Sequence, residues 1–147
     1  MQQVRLGFIG YGEIGSTLGA GLRGAGLADV ASFDSGAFDG PYAALIQERA
    51  QAAGAALLRS PAELAARCDI LVGVTPGSAS VASATAFAPH LQARHLFIDI
   101  ASATPKVKQA VAAALDVGVP AAAGAAVGVR HGVAEAGLRA GDITDVG

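Results

Sequence analysis

The sequence predicts an α/β fold: a doubly wound parallel sheet in a single domain. Three observations carry that expectation. Short apolar runs rich in β-branched and aromatic residues alternate with longer, alanine-rich stretches of helical period. The short runs are apolar throughout, not at every second residue, as strands covered on both faces should be. The chain of 147 residues is 52% hydrophobic but only 5% aromatic, so its interior must be filled by small aliphatic side chains in closely packed layers.

Taken in order, Val4–Ile9 reads as a first strand and Glu13–Arg23 as a helix with Ile14, Leu18 and Leu22 on one face. Val30–Phe33 is a second strand, Tyr42–Ala53 a helix and Ala55–Leu58 a short third strand. Ser60-Pro61-Ala62-Glu63 carries a cap, a proline at the first helical position and the acid of a capping box. That helix should run to Arg67, ahead of a strand at Ile70–Val74. Ser80–Leu91 reads as a helix and Leu96–Ile100 as a strand. Thr104-Pro105 then opens a helix over Lys106–Leu115. Residues 1–118 make the expected domain. Residues 119–147 are a Gly/Ala-rich tail of weak periodicity, in which Val117–Ala122 would begin a sixth strand.

Composition excludes several function classes. The net charge is −2 and the basic residues are scattered, which argues against nucleic acid and anionic membrane as partners. Ile70–Ala93 carries no Asp, Glu, Lys or Arg, yet Pro76 and Pro89 interrupt it, so no membrane span is expected. The N-terminus shows no signal-peptide pattern, and Cys68 is the only cysteine, so no internal disulfide can form. A cytoplasmic location is expected. Cys68, His90 and His95 read as structural or surface residues, His131 has no visible partner, and no metal-ligand spacing stands out.

The stretch "GFIGYGEIG" places Gly10, Gly12 and Gly15 in G-x-G-x-x-G spacing between a strand and a helix. Gly10 permits a tight turn, Gly12 lets backbone approach a pyrophosphate, and Gly15 lets helix and strand pack closely. Tyr11, Glu13 and Ile14 complete this loop, and the helix start offers free N–H groups to phosphate. Asp34 follows Gly15 by 19 residues, at the end of the second strand, where a carboxylate can accept ribose hydroxyls. It would favour NAD over NADP; the competing reading is a plain turn cap. Arg49 could serve a 2′-phosphate if the loop folds back. The cofactor is therefore NAD or NADP, with NAD favoured. Val74, Thr75 and Pro76 leave the fourth strand on the same rim, where the alternative is a helix-start turn capped by Ser78 or Ser80. At the end of the fifth strand, Asp99, Ser102 and Thr104 are expected to put a carboxylate and two hydroxyls at the crevice rim; Ser102 is the candidate for substrate or nicotinamide contact, whereas Thr104 reads as a cap.

"RLGFIGYGEIGSTLGAGLRGAG", "SPAELAARCDILVGVTP" and "LFIDIASATPKVKQAVAAAL" together resemble the N-terminal domain of the 6-phosphogluconate dehydrogenase and 3-hydroxyisobutyrate dehydrogenase superfamily. The similarity covers residues 4 to 118 and points to the bacterial 6-phosphogluconate dehydrogenase-like branch. It implies a Rossmann-type cofactor domain, dinucleotide on Gly10–Gly15, the Val74–Pro76 loop beside it, and Ser102 near a small hydroxyacid substrate. Ile14 and Ala101 depart from the superfamily's usual residues, and Ala121–Val133 does not match its glycine-rich substrate loop. The superfamily's acid/base lysine and helical domain have no counterpart here, so catalytic residues are not assigned. We expect a truncated chain, possessing the cofactor half, inactive alone, and self-associating through apolar surface left exposed. Two other classes compete: a non-catalytic dinucleotide-binding or sensing module, and a methyltransferase. The proline-led helices "SPAEL" and "ATPKVK" favour the dehydrogenase reading.

Overall fold

A computed structural model describes residues 3–118, 129–131 and 134–136. Five parallel strands form one sheet: β1 (Leu6–Ile9), β2 (Val30–Phe33), β3 (Ala56–Leu58), β4 (Ile70–Gly73) and β5 (Leu96–Asp99). Their order is β3-β2-β1-β4-β5, so the chain starts at the centre, winds outward one way, and then returns to the other side. β1 pairs with β2 as Leu6 opposite Val30 and with β4 as Leu6 opposite Ile70. The reversal falls between β1 and β4, at whose carboxyl ends open sheets of this type form their crevice.

The connecting helices are α1 (Glu13–Gly24), α2 (Ala43–Ala53), α3 (Pro61–Arg67), α4 (Ser80–Phe87) and α5 (Pro105–Gly118). Because neighbouring strand residues face opposite ways, the sheet carries two cores. Phe8, Val30 and Val72 pack with Ile46 and Ala50 of α2 on one face. Ile9, Ala31 and Leu71 pack with Leu64, Phe87, Val111 and Leu115 on the other. The uniformly apolar strand runs are explained by this double burial. This is a Rossmann-like α/β fold, and no helix among the described residues is long and apolar enough to cross a membrane.

Helix starts follow their local chemistry. The Glu63 N–H donates to Ser60 Oγ at 3.2 Å, while Glu63 Oε2 accepts from the Arg59 N–H at 2.9 Å. The predicted cap forms, with its return bond one residue earlier than a standard capping box. Helix α4 ends at Phe87 and continues only as a single 3₁₀ turn, Ala88–His90, because Pro89 cannot donate to an α-helical ladder.

Two expectations are corrected. Val117 and Gly118 close α5 rather than open a sixth strand; residues 119–122 lie outside the described residues. The tail instead contributes β6 (Val129–His131) and β7 (Ala134–Ala136), an antiparallel pair separate from the main sheet. The face of α1 buried in the fold is also different. Gly15, Gly19 and part of Leu22 pack inward, whereas Ile14 is 62% and Leu18 39% exposed. At Gly15 and Gly19 the helix presses on the Gly10 carbonyl and the Tyr11 ring, so a side chain cannot be added without a shift.

Candidate functional site

The carboxyl ends of β1, β2 and β4 open into a crevice of about 650 Å³. Its floor is the turn from β1 into α1, including Gly10, Gly12, Glu13 and Ile14. Phe33, Asp34 and Ser35 form one side, and Val74, Thr75 and Pro76 the other. The outer wall is Ala79, just before α4, and Ala82, Ser83 and Ala86 along it, with Phe87 at its end.

The three glycines of the turn are present for three different reasons. Gly10 has φ = 93°, in the left-handed region that L side chains rarely adopt. Its N–H donates to the Phe33 carbonyl at 2.8 Å, which ties β1 to β2 just before the turn. A Cβ on Gly15 would stand 2.7 Å from the Gly10 carbonyl oxygen, so the helix could not seat itself against the turn. Gly12 differs: its backbone has φ = −75°, and a Cβ there would meet nothing within 4 Å. Neither conformation nor packing within the chain calls for a glycine at position 12.

Gly12 is also the N-cap of α1, and no side chain accepts the N–H groups of the first turn. Those groups, and the positive end of the helix dipole, point to the open crevice. The charged residues lining that crevice, Glu13 and Asp34, are both acidic. An anion entering it would therefore be met by backbone N–H groups rather than by side-chain cations.

Asp34 is committed on both carboxylate oxygens. Oδ2 accepts from the Tyr11 N–H and Oδ1 from the Gly36 N–H, each at 2.8 Å. The first bond locks the glycine turn to the end of β2; the second is the turn cap of the competing reading. Each oxygen keeps further lone-pair capacity toward the crevice, so capping and ligand binding coexist.

The remaining predicted residues divide. Val74, Thr75 and Pro76 line the crevice as expected. Tyr11 does not: its side chain is fully buried beneath α1, and only its backbone reaches the site. Ser102 is exposed on the β5–α5 loop and is not among the lining residues. That loop is held against the β4–α4 loop at Gly77, where any Cβ would collide with the Ser102 carbonyl. The Thr104 Oγ1 accepts from the Val107 N–H at 3.4 Å, a weak form of the predicted cap.

Beneath the same loop, Lys108 Nζ meets Asp99 Oδ2 at 2.9 Å, with side chains 11% and 3% exposed. The Ala101 N–H donates to Asp99 Oδ1 at 3.0 Å. The Asp99 carboxylate expected at the crevice rim is thus buried in this pair, which fixes the start of the β5–α5 loop; Lys108 as its partner could not be read from spacing alone. The α4 wall was missed too, although Ala79, Ala82, Ser83 and Ala86 recur at helical spacing as uniformly small residues. Cys68 is buried against Gly7 and Leu64, and burial pushes its thiol up to about 11, so it packs as a small apolar residue. His95 is buried and hydrogen-bonded at both ring nitrogens, whereas His90 is exposed.

Residues 5–139 match a family described as the NAD binding domain of 6-phosphogluconate dehydrogenase. No curated protein matches the chain. Among solved structures, a conserved hypothetical protein from Sinorhizobium meliloti is 30% identical, with a TM-score of 0.73 over 79% of this chain and 38% of its own. The 3-hydroxyisobutyrate dehydrogenase of Mycobacterium tuberculosis, solved with L-serine, is 28% identical, with a TM-score of 0.67 over 80% of this chain and 38% of its own. An imine reductase variant from Myxococcus stipitatus, in complex with NAD+, shares the fold at 18% identity and a TM-score of 0.69; the match covers 91% of this chain and 42% of that one. The chain thus spans about two fifths of the length of these proteins.

Proposed function

The chain belongs to the family of NAD-binding domains of 6-phosphogluconate dehydrogenase, and on that premise we propose that its crevice holds the dinucleotide for an oxidoreductase acting on a small hydroxyacid. The observation that carries the reading is Gly12. The fold leaves room for a side chain there, and close approach of a pyrophosphate supplies the missing reason for its absence. The first-turn N–H groups of α1 would hold the phosphates, and Asp34 would accept the ribose hydroxyls beside them. The wall of α4 and the Val74–Pro76 loop would cover the apolar faces of the cofactor.

Asp34 favours NAD, since its carboxylate accepts a 2′-hydroxyl and repels a 2′-phosphate. The nicotinamide supplies or accepts hydride when bound. Ser102, on the exposed loop steadied by Gly77 and by the Asp99–Lys108 pair, would meet the substrate or the nicotinamide end. The hydroxyacid class is supported by the 28% identity to a 3-hydroxyisobutyrate dehydrogenase.

The test is a titration of the chain with NADH. The cofactor's own emission serves as signal, because the protein has no tryptophan. Saturable binding is expected. Gly12→Val should weaken it at least about tenfold; its side chain projects into open space, so the unfolding midpoint should fall only by the modest cost of valine at the N-cap. Equal affinity in the two proteins would overturn the reading.

A further inference from the structure

The Asp99–Lys108 pair is the most deeply buried ion pair among the described residues; both partners of the others stand partly in water. Burying two charges costs desolvation that their attraction barely offsets, so such a pair adds direction more than stability. Here the direction is doubly fixed. Lys108 Nζ donates to Asp99 Oδ2 at 2.9 Å and to the Asp99 carbonyl at 3.3 Å, while Asp99 Oδ1 accepts from the Ala101 N–H. Helix α5 thus holds the end of β5 and the start of the loop beyond it in one orientation.

That loop grips one wall of the crevice at both ends. The Ile100 N–H donates to the Gly73 carbonyl at 3.0 Å, just before Val74. Just after Pro76, Gly77 lies so close to the Ser102 carbonyl that no Cβ fits between them. Val74, Thr75 and Pro76, which line the crevice, are therefore strung between two contacts with residues 100–102. Their other side rests on the glycine turn: a Cβ on Gly10 would meet Thr75, and one on Gly15 would meet Val74. A shift of the β5–α5 loop is passed to this wall at both of its ends.

We propose that Lys108 is a positioning residue for the dinucleotide: through Asp99 it sets the β5–α5 loop, and through Ile100 and Ser102 that loop sets the Val74–Pro76 wall. The inference rests on the dinucleotide reading above. Lys108 is not among the residues lining the crevice, so it acts on affinity only through these contacts.

The experiment compares NADH affinity and unfolding midpoint in the wild type, Lys108→Met, Lys108→Met/Asp99→Asn and Leu115→Ala, at a temperature where each is folded by circular dichroism. Leu115 is fully buried on the same helix, so its truncation destabilises the fold and leaves the Asp99 contacts in place. Lys108→Met should weaken NADH about fivefold or more, within the range by which residues outside a site modulate it, whereas Leu115→Ala should change it less than about twofold. The double variant strands no charge, so it carries the test even if Lys108→Met does not fold. It should regain stability while its affinity stays at least about threefold below wild type, because no ammonium then ties Asp99 to α5. An affinity that returns with stability, a loss shared by Leu115→Ala, or a Lys108→Met affinity within about twofold of wild type would overturn the inference and leave the dinucleotide reading standing. A wild type that does not bind NADH would overturn both.

Discussion

The two ends of the parallel sheet are built on opposite principles. At the amino ends of the strands, polar side chains are paired into a lattice. Arg5 grips Asp69 through Nε and Nη2 at 2.8 and 2.7 Å, and Arg94 Nη1 reaches the same carboxylate at 2.7 Å. Arg94 also donates to the Ala65 and Cys68 carbonyls, and so satisfies the end of α3. His95 Nδ1 accepts from the Gln92 N–H, which leaves Nε2 to donate to the Ala65 carbonyl. At the carboxyl ends, glycine turns expose backbone N–H groups that no side chain caps. The difference is one of commitment: one end pairs its polar groups with each other, and the other leaves backbone N–H groups of the first turn of α1 uncapped.

The Asp99–Lys108 pair is the exception at the crevice end, and breaking it gives the largest expected effect on stability. Lys108→Met would leave the Asp99 carboxylate buried without its cation, at a cost of about 3 kcal/mol in urea unfolding. Adding Asp99→Asn removes the stranded charge and should recover at least half of that loss. If the single change costs under ~1 kcal/mol, the β5–α5 loop is held by the Gly77 contact instead, and the crevice end needs no charged anchor.

A smaller effect sharpens the same contrast from the closed end. The Arg5 guanidinium, followed by Arg94, holds the Asp69 carboxyl down to about 2. Its folded value lies below the ordinary value of about 3.9, so the pairing stabilises the protein above pH 4. That contribution is lost as pH falls from 4 toward 2. Because the Asp69 side chain is 33% exposed, screening limits it to about 1 kcal/mol. Asp69→Asn should lower stability by that amount at pH 7 and flatten the acid limb of the unfolding curve. An acid limb unchanged in the variant would place the acid sensitivity elsewhere.

The fold was legible because strand boundaries coincide with where apolar runs stop: β2 falls on Val30–Phe33 as expected, and β1, β3, β4 and β5 are shorter by one or two residues. Helix starts were legible where a side chain caps, as at Ser60. What stayed hidden depends on distance rather than pattern. Ile14, Leu18 and Leu22 share a helical face, but only the approach of α1 to the sheet decides that Gly15 and Gly19 go inward. In the same way, the motif marks Gly10, Gly12 and Gly15 alike. The packing around each one separates Gly10 and Gly15, which the turn and the helix seat require, from Gly12, for which no contact among the described residues requires a glycine.

Tyr11 offers the smallest effect and a discriminating one. It lies within the glycine motif, yet its side chain is fully buried, and its hydroxyl is a buried polar group with no hydrogen-bond partner among the described residues. Burial raises the phenol's pKa, so it stays neutral. Tyr11→Phe removes an unsatisfied group and should leave stability unchanged or higher by about 0.5–1 kcal/mol. NADH affinity should not move, because only the Tyr11 N–H takes part in the site. The hydroxyl also explains Gly19, where a Cβ would stand 2.6 Å from the phenol oxygen. Gly19→Ala should therefore cost about 2 kcal/mol by overpacking in the wild type and much less in the Tyr11→Phe background. Such coupling, read in a double-mutant cycle, would show that Tyr11, a residue of the motif, sets how closely α1 seats. Additive costs would mean that α1 shifts to absorb the methyl group and that its distance from the sheet is not fixed by Tyr11.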